Sequence, residues 1–360
     1  MEGDLVPLSA QLEGVWSEED TTPSHIEDAL RNLLVESYEK ERAYAPARVL
    51  NLVVIVDRAY KGEISNRLER VGRYHPSRTV LCAVDGRRTH MDAWVQMTCD
   101  PSDGGLAVAS EHIEIEIGPR HLAALDAIVD PLVISDLTTV AWAPHGHDEG
   151  VDAIRRLIQV VLMDSAQELH ARDAIKRAMD LSKDAYVVDL AWLRSTPWRE
   201  RIAATFDPPA WRPLLREISG ITIHTREDSV AAALLLLGWL SCRLGWTASQ
   251  LTRHGSKYSG TAHNKRQDVK VVLEAANLDV PGLAGVELET ASGMHLSLDR
   301  GPGGLHAKRR TRDGRESHWV VLGASRGESG ILGEGIRQAL LRDPTYRPAL
   351  DCAQMYLGSV

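Results

Sequence analysis

The residues with the most chemical capacity sit where predicted strands end. Asp57 closes LNLVVIVD, Asp85 closes TVLCAVD, Pro144-His145 follows TTVAWA, and Asp164-Ser165 follows VVLM. Open α/β sheets bind ligands beyond the carboxyl ends of their strands. A histidine, three aspartates and a serine gathered there could exchange protons with a substrate or hold a metal. Only the strand order decides whether they meet. An aspartate after a strand serves as readily as a turn residue or helix cap. That plainer role is the preferred one, because a fold alone specifies no site.

Four other groups invite the same test. His145-Gly146-His147-Asp148 has ligating side chains but no further ligand at a catalytic spacing such as HExxH, so it reads as a polar loop. In His75-Pro76-Ser77-Arg78, the candidates His75, Ser77 and Arg78 offer a hydroxyl and positive charge suited to phosphate. The group precedes its strand, however, at the end of the sheet away from the expected crevice. Gly323 to Gly330 (GASRGESG) links a strand to a helix, but Glu328 stands where a phosphate loop needs lysine, and the dinucleotide pattern lacks its first glycine. It reads as a flexible connection. Lys308-Arg309-Arg310, with Arg312 and Arg315 nearby, could meet an acidic partner or phosphate, or could be a strand edge kept from aggregating by its charge. Nucleophile, kinase and deaminase signatures are absent. The residues by themselves assemble no catalytic set, no metal site and no cofactor motif.

The elements that must carry these residues follow from periodicity. Residues 1–22 read as a loose arm. Ser24 and Glu27 form a capping box for an amphipathic helix with Ile26, Leu30, Leu33 and Leu34 on one face. Val49 to Asp57 and Thr79 to Asp85 are near-continuous apolar runs, the mark of strands buried on both faces. Trp94 to Asp100 and His112 to Gly118 alternate, as an antiparallel hairpin with one wet face does. Thr138 to Pro144 and Val160 to Ala166 complete a mixed, mainly parallel sheet flanked by helices. This N-terminal α/β domain spans 23–168. The C-terminal domain, 169–360, opens with a helical segment (169–252), including one helix from 168 to 194. Arg253 to Gln267 reads as an exposed basic loop. An α+β portion follows over 268–360, with five antiparallel strand candidates, a hairpin turn at Asp313-Gly314 and a last helix at Ile331 to Arg342.

Composition narrows the class. The 360-residue chain has a net charge of −9 and 44 % hydrophobic residues. An acidic chain with cores of ordinary size is a poor general nucleic-acid binder. Its four cysteines are far apart with no CxxC pair, which fits neither a disulfide framework nor a zinc site, and suits a reducing cytoplasm. No basic-then-apolar leader opens the chain. Val230 to Trp246 falls short of the roughly 20 apolar residues that cross a bilayer, so it is expected to be a buried core helix containing Cys242.

The stretch from Asp189 to Asp207, DLAWLRSTPWRERIAATFD, concentrates tryptophan and arginine, the residues most enriched where proteins recognise one another. Thr196 as N-cap and Pro197 at the first helical position start a helix running to Phe206. Trp192, Ile202 and Phe206 are expected to pack inward. Arg194, Arg199 and Arg201 are expected to be exposed, and with Trp198 they are the candidate partner contacts. Arg199→Ala is then expected to weaken a complex without unfolding the domain.

Several segments together resemble one family. They are RVLNLVVIVD (48–57), YHPSRTVLCAVD (74–85), the run 112–144, MDSA (163–166), the stretch 189–207, LLLLGWLSCRLGW (234–246) and PGLAGVELETASG (281–293). In order and spacing this resembles the OpcA family, assembly and activation proteins of glucose-6-phosphate dehydrogenase. The resemblance implies a non-enzymatic cytoplasmic protein whose partner is that dehydrogenase, with no cofactor, nucleic acid or membrane involved. The alternative drawn from the residues is a sugar-phosphate sensor or enzyme at the strand-end crevice.

Overall fold

A computed structural model describes residues 12–40, 48–72, 76–101, 107–322 and 327–358. The chain divides into two compact units at Leu162/Met163. The first contains β1 (Leu12–Glu18), α1 (Pro23–Lys40), β2 (Leu50–Asp57), α2 (Lys61–Gly72), β3 (Ser77–Val84), β4 (Asp92–Pro101), β5 (Ala107–Ile117), α3 (Leu125–Val129), β6 (Thr138–Trp142), α4 (Asp148–Ala153) and β7 (Val160–Met163). Within this unit the strand order is β1-β4-β5-β3-β2-β6-β7. Pairings among β5, β3, β2, β6 and β7 are parallel, and those of β4 with β5 and β1 are antiparallel.

The apolar runs explain the centre of this sheet. β3 is buried along its whole length and β2 along all but its last residue, as expected of parallel strands covered on both faces. In β5, Ile113, Ile115 and Ile117 are fully buried while His112, Glu114 and Glu116 take the wetter face. Asn51, alone among the apolar residues of β2 and fully buried, is satisfied by Ile134 O at 2.9 Å and Thr139 Oγ1 at 3.1 Å, and accepts from Ile134 N at 3.0 Å. It thereby ties the segment before β6 to the central strand. Read along the parallel strands alone, the order is that of a doubly wound dinucleotide fold, with its switch point between β2 and β6.

The second unit contains α5 (Ala171–Leu181), β8 (Tyr186–Asp189), α6 (Leu190–Arg194), α7 (Thr196–Phe206), β9 (Ile218–Thr225), α8 (Val230–Leu244), β10 (Thr247–Ala248), β11 (Thr252–His254), β12 (Lys257–His263), β13 (Asp268–Ala275), β14 (Leu283–Thr290), β15 (His295–Gly301), β16 (Gly304–Arg310), β17 (Glu316–Leu322), α9 (Gly327–Leu341) and α10 (Tyr346–Leu357). Its sheet runs β10-β12-β13-β9-β14-β15-β16-β17, with β11 beside β12. Only the β13–β9 pairing is parallel. The mixed first sheet, the helices and the mostly antiparallel second sheet match the α/β expectation.

α8 is apolar all round and buried from Ala231 to Gly238. Gly245 ends it with φ +66°, the left-handed cap glycine adopts most easily. Gly238 permits the close approach of α10: a Cβ there would lie 2.1 Å from Ala349 O. Ser241 Oγ and Tyr356 OH, 2.7 Å apart, share a hydrogen bond across the same helix pair.

Several local expectations are corrected. Leu12–Glu18, inside the segment read as a loose arm, is a strand on β4; residues 1–11 lie outside the described residues. The helix read from 168 to 194 is broken by β8, because the β-branched and aromatic YVV run favours strand. Residues 252–254 and 257–263 are strands joined by a tight turn, not a loop. Their polar text lacks apolar alternation, and pairing with β13 organises them. β9, the strand joining the two halves of the second sheet, and α10 are additional elements. Cys242 is exposed, not buried; burial, then the neighbouring Cys242 thiol, raises the pKa of the Cys352 thiol.

Candidate partner surface

The groups at the strand ends are taken up locally. Asp57 hydrogen-bonds His147 at 3.0 Å. Asp85 accepts from Arg87 N at 3.0 Å and Arg58 at 3.3 Å; the Arg87 bond, then the neighbouring guanidiniums, hold its carboxyl below the usual range. His145 stacks on Tyr60 with ring centroids 4.0 Å apart, and burial lowers its pKa. Asp164 and Ser165 belong to the second unit and are held there by Arg194 and Asp189. No group of three metal-ligating side chains occurs among the described residues.

The same geometry tests whether the first unit fits the dinucleotide its strand order suggests. The turn after β2 reads Asp57-Arg58-Ala59-Tyr60-Lys61, so side chains occupy the positions where glycine lets a backbone approach a pyrophosphate. Glu63 sets a carboxylate in the first turn of α2, where a phosphate would need positive potential. The Tyr60–His145 stack brings together residues from both sides of the switch point. These residues do not fit a dinucleotide.

Ser77 and Arg78 lie within β3 and are buried, which corrects their reading as a turn open to phosphate. Arg78 donates to Glu111 at 2.5 Å and to Leu132 O at 3.1 Å. Arg48 donates to the other oxygen of Glu111, whose side chain has no exposed surface. Two guanidiniums thus share the one buried carboxylate of Glu111, and Arg78 is committed to the fold rather than open to a ligand. His75 lies outside the described residues, as do Gly323 to Arg326 of the GASRGESG segment.

The stretch from Asp189 to Asp207 forms a buried polar hub. Asp189, 1 % exposed, accepts from Ser165 N at 3.1 Å, Ser165 Oγ, Ala191 N at 2.9 Å and Tyr346 OH at 3.3 Å. Burial raises its pKa to about 6, with Asp164 nearby adding to the shift against the hydrogen bonds that lower it. Arg194 clamps Asp164 with bonds of 2.8 and 2.7 Å. Trp192 Nε1 donates to Asp343 at 2.9 Å. Arg199 lies over the Trp192 ring at 3.4 Å and donates to Ser195 Oγ at 3.2 Å and Thr196 Oγ1 at 2.8 Å. Burial pulls its pKa down to about 10 against the pull of Asp343.

The exposure expected of Arg194 and Arg199 is therefore corrected: Arg199 is buried, the half-buried Arg194 keeps its side chain 9 % exposed against Asp164, and Trp198 is buried at 3 % exposure. A guanidinium survives in the interior because its donors are consumed by fixed acceptors. Trp192, Ile202 and Phe206 pack inward as expected. The helix starts at Thr196 with no side-chain cap bond, one residue earlier than its cap chemistry suggests.

Arg201 is half-buried and, unlike Arg194, has no carboxylate partner among the described residues; it joins residues from other elements. Its guanidinium lies 5.3 Å from the Trp319 ring of β17. Arg309 of β16 lies 3.9 Å from the Trp211 ring and 5.1 Å from Trp319. Leu305 and Ala307 bury the inner face of the β16–β17 hairpin, and Arg309 continues that face to its end. Arg309 belongs to the run Lys308-Arg309-Arg310 read above as able to meet an acidic partner or phosphate, whereas Trp211 and Trp319 are not among the residues singled out. The signal for them lay in the Asp313-Gly314 turn, whose register pairs Ala307 with Trp319 and so sets Arg309 diagonal to that ring on the same face.

The chain is built as a doubly wound domain followed by a unit on a large open sheet. The chain is similar to an oxidoreductase from Sinorhizobium meliloti (TM-score 0.50, 12 % identity, covering 86 % of this chain and 95 % of that one). It is likewise similar to glucose-6-phosphate dehydrogenase solved with its substrate (TM-score 0.50, 10 % identity, 87 % and 91 % covered). These likenesses show the fold alone. Residues 68–180 match the domain described as the glucose-6-phosphate dehydrogenase subunit N-terminal domain, and residues 185–350 match the corresponding C-terminal domain. The chain belongs to the OpcA family. Among curated proteins it is similar to OxPP cycle proteins OpcA of Synechococcus elongatus (26 % identity over 184 residues, 49 % of this chain and 41 % of that protein) and Nostoc punctiforme (27 % over 221 residues, 59 % and 47 %). The matched region is less than half the length of these relatives.

Proposed function

We propose that this protein is a non-catalytic assembly factor that binds oligomeric glucose-6-phosphate dehydrogenase and promotes its active form in the oxidative pentose phosphate pathway. The observation that carries the reading is the match of both units to the domains of the dehydrogenase-subunit family. The strand-end crevice supports it: groups that could do chemistry there are engaged in local pairs, and the turn after β2 does not fit a dinucleotide. The fold of a dehydrogenase is thus kept while the place for its cofactor is given to side chains.

Such a factor acts by binding the active conformation of its partner more tightly than the inactive one. A coupling of about 1–3 kcal/mol changes affinity or population roughly 5- to 150-fold. The reading puts the protein in the cytoplasm with its partner. No helix among the described residues is long and apolar enough to cross a membrane. The net charge of −9 disfavours nucleic acid as a partner.

Titrating the purified protein into its cognate dehydrogenase tests this. The expected result is a complex on size exclusion with kcat raised or KM lowered, and no dehydrogenase activity from the factor alone. Unchanged kcat and KM, with no complex formed, contradict the reading.

A further inference from the structure

The ledge of Arg201, Trp211, Arg309 and Trp319 holds binding chemistry that the fold does not consume. Arg201 Nε and Arg309 Nε are both buried without a hydrogen-bond partner. Among the described residues neither guanidinium forms an ion pair, whereas the neighbouring Arg194 and Arg199 face Asp164 at 2.7 Å and Asp343 at 3.9 Å. Burial lowers the pKa of Arg309, and the charge of Arg201 lowers it further. Two like charges held beside the Trp319 ring, each with an Nε donor not used by the fold, have the chemistry to receive an anion.

Three features narrow the occupant. β17 is the edge strand of its sheet, so a partner has access to Trp319 from the open side. Tryptophan and arginine at the centre of a contact are the side chains that most often dominate protein–protein affinity. The chain carries an overall charge of −9, which repels a long polyanion but leaves a local cationic ledge free to take one carboxylate. We propose that this ledge is the contact by which the protein receives an acidic surface segment of its protein partner, a carboxylate seating against the guanidiniums of Arg201 and Arg309 and its flanking residues lying on Trp211 and Trp319. The assignment rests on the function proposed above and names the chemistry of that interface.

The test compares wild type with Arg309→Lys, Arg309→Gln and the double variant Arg201→Ala/Arg309→Ala for binding to the cognate dehydrogenase by calorimetry. Thermal melts establish that each variant folds. The double variant is expected to bind roughly 30-fold or more weakly, as loss of a hot spot does. Arg309→Lys keeps the charge and loses the planar stack, so about a tenfold loss is expected from it. If the double variant does not fold, the two single variants decide. Folded variants that bind like wild type overturn the ledge while leaving the assembly role standing. A wild-type protein that forms no complex overturns the assembly role, and the ledge assignment with it. Displacement of the dehydrogenase by inorganic phosphate, but not by chloride at equal ionic strength, makes the ledge a phosphate site and overturns the carboxylate assignment.

Discussion

Arg199 and Arg201 are two residues apart on one helix, and they do opposite things. Arg199 is sealed against Trp192 with its donors on Ser195 and Thr196. Arg201 leans out over Trp319, its Nε without a partner. The helical rotation of about 100° per residue puts them on nearly opposite sides of α7. The same contrast separates Arg194, clamped on Asp164, from Arg309 at the end of the β16–β17 hairpin. Inside the hub, each arginine is opposed by fixed acceptors and serves the fold. On the ledge, cations face rings and each other. An arginine beside a tryptophan is therefore no sign of a partner by itself; what distinguishes the ledge is the absence of a carboxylate among the described residues.

The contrast is sharpest in what removal should do. Arg194→Ala leaves Asp164, whose side chain is 3 % exposed, without its cation. A loss of about 3–5 kcal/mol is expected, because an uncompensated charge then remains in the interior. Urea unfolding measures it, and a loss under about 1 kcal/mol would dissolve the distinction between hub and ledge.

A smaller effect comes from Asp189, whose pKa stands at about 6. In the unfolded chain an aspartate titrates near ~3.9. Between those values the folded state holds more protons than the unfolded state, so stability falls as pH rises through that window. The shift of about two units corresponds to roughly 3 kcal/mol, gone by pH 7. Asp189→Asn cannot ionise and should lose nothing on this account. The stability of wild type relative to the Asn variant is thus expected to fall by about 2–3 kcal/mol between pH 4 and pH 7. Parallel pH profiles for the two proteins would show that Asp189 is not held as described.

The smallest stability effect belongs to the ledge. Arg309→Ala removes no ion pair within the described structure, and relief of the repulsion from Arg201 offsets part of the lost stacking. A change below about 1 kcal/mol in urea unfolding is expected, alongside the loss of binding. A larger drop in stability than that of Arg194→Ala reverses the comparison.

Much of the frame could be read from the residues. Continuous apolar runs located β2 and β3, alternation located the β4–β5 hairpin, and Asp313-Gly314 located the turn joining β16 and β17. Strand order was not legible, and with it neither was the switch point. β11 and β12 escaped because their polar text carries no period, and only their pairing with β13 organises them. The exposure of Arg199 was misread for a different reason. Arg199, Ile202 and Phe206 recur at helical spacing and form one buried stripe, yet the charge of Arg199 suggested exposure. Burial of that charge depends on Ser195, Thr196 and a distant Asp343. The ledge draws on α7, the turn after it and two strands, so no local window of sequence displays it.

The central claim is that this protein binds glucose-6-phosphate dehydrogenase. Sedimentation velocity of the two purified proteins, mixed and apart, tests it most directly. The account predicts a faster-sedimenting complex with the wild-type chain that is largely lost with Arg201→Ala/Arg309→Ala. Independent sedimentation of the wild-type chain and the dehydrogenase at every concentration tried would contradict it.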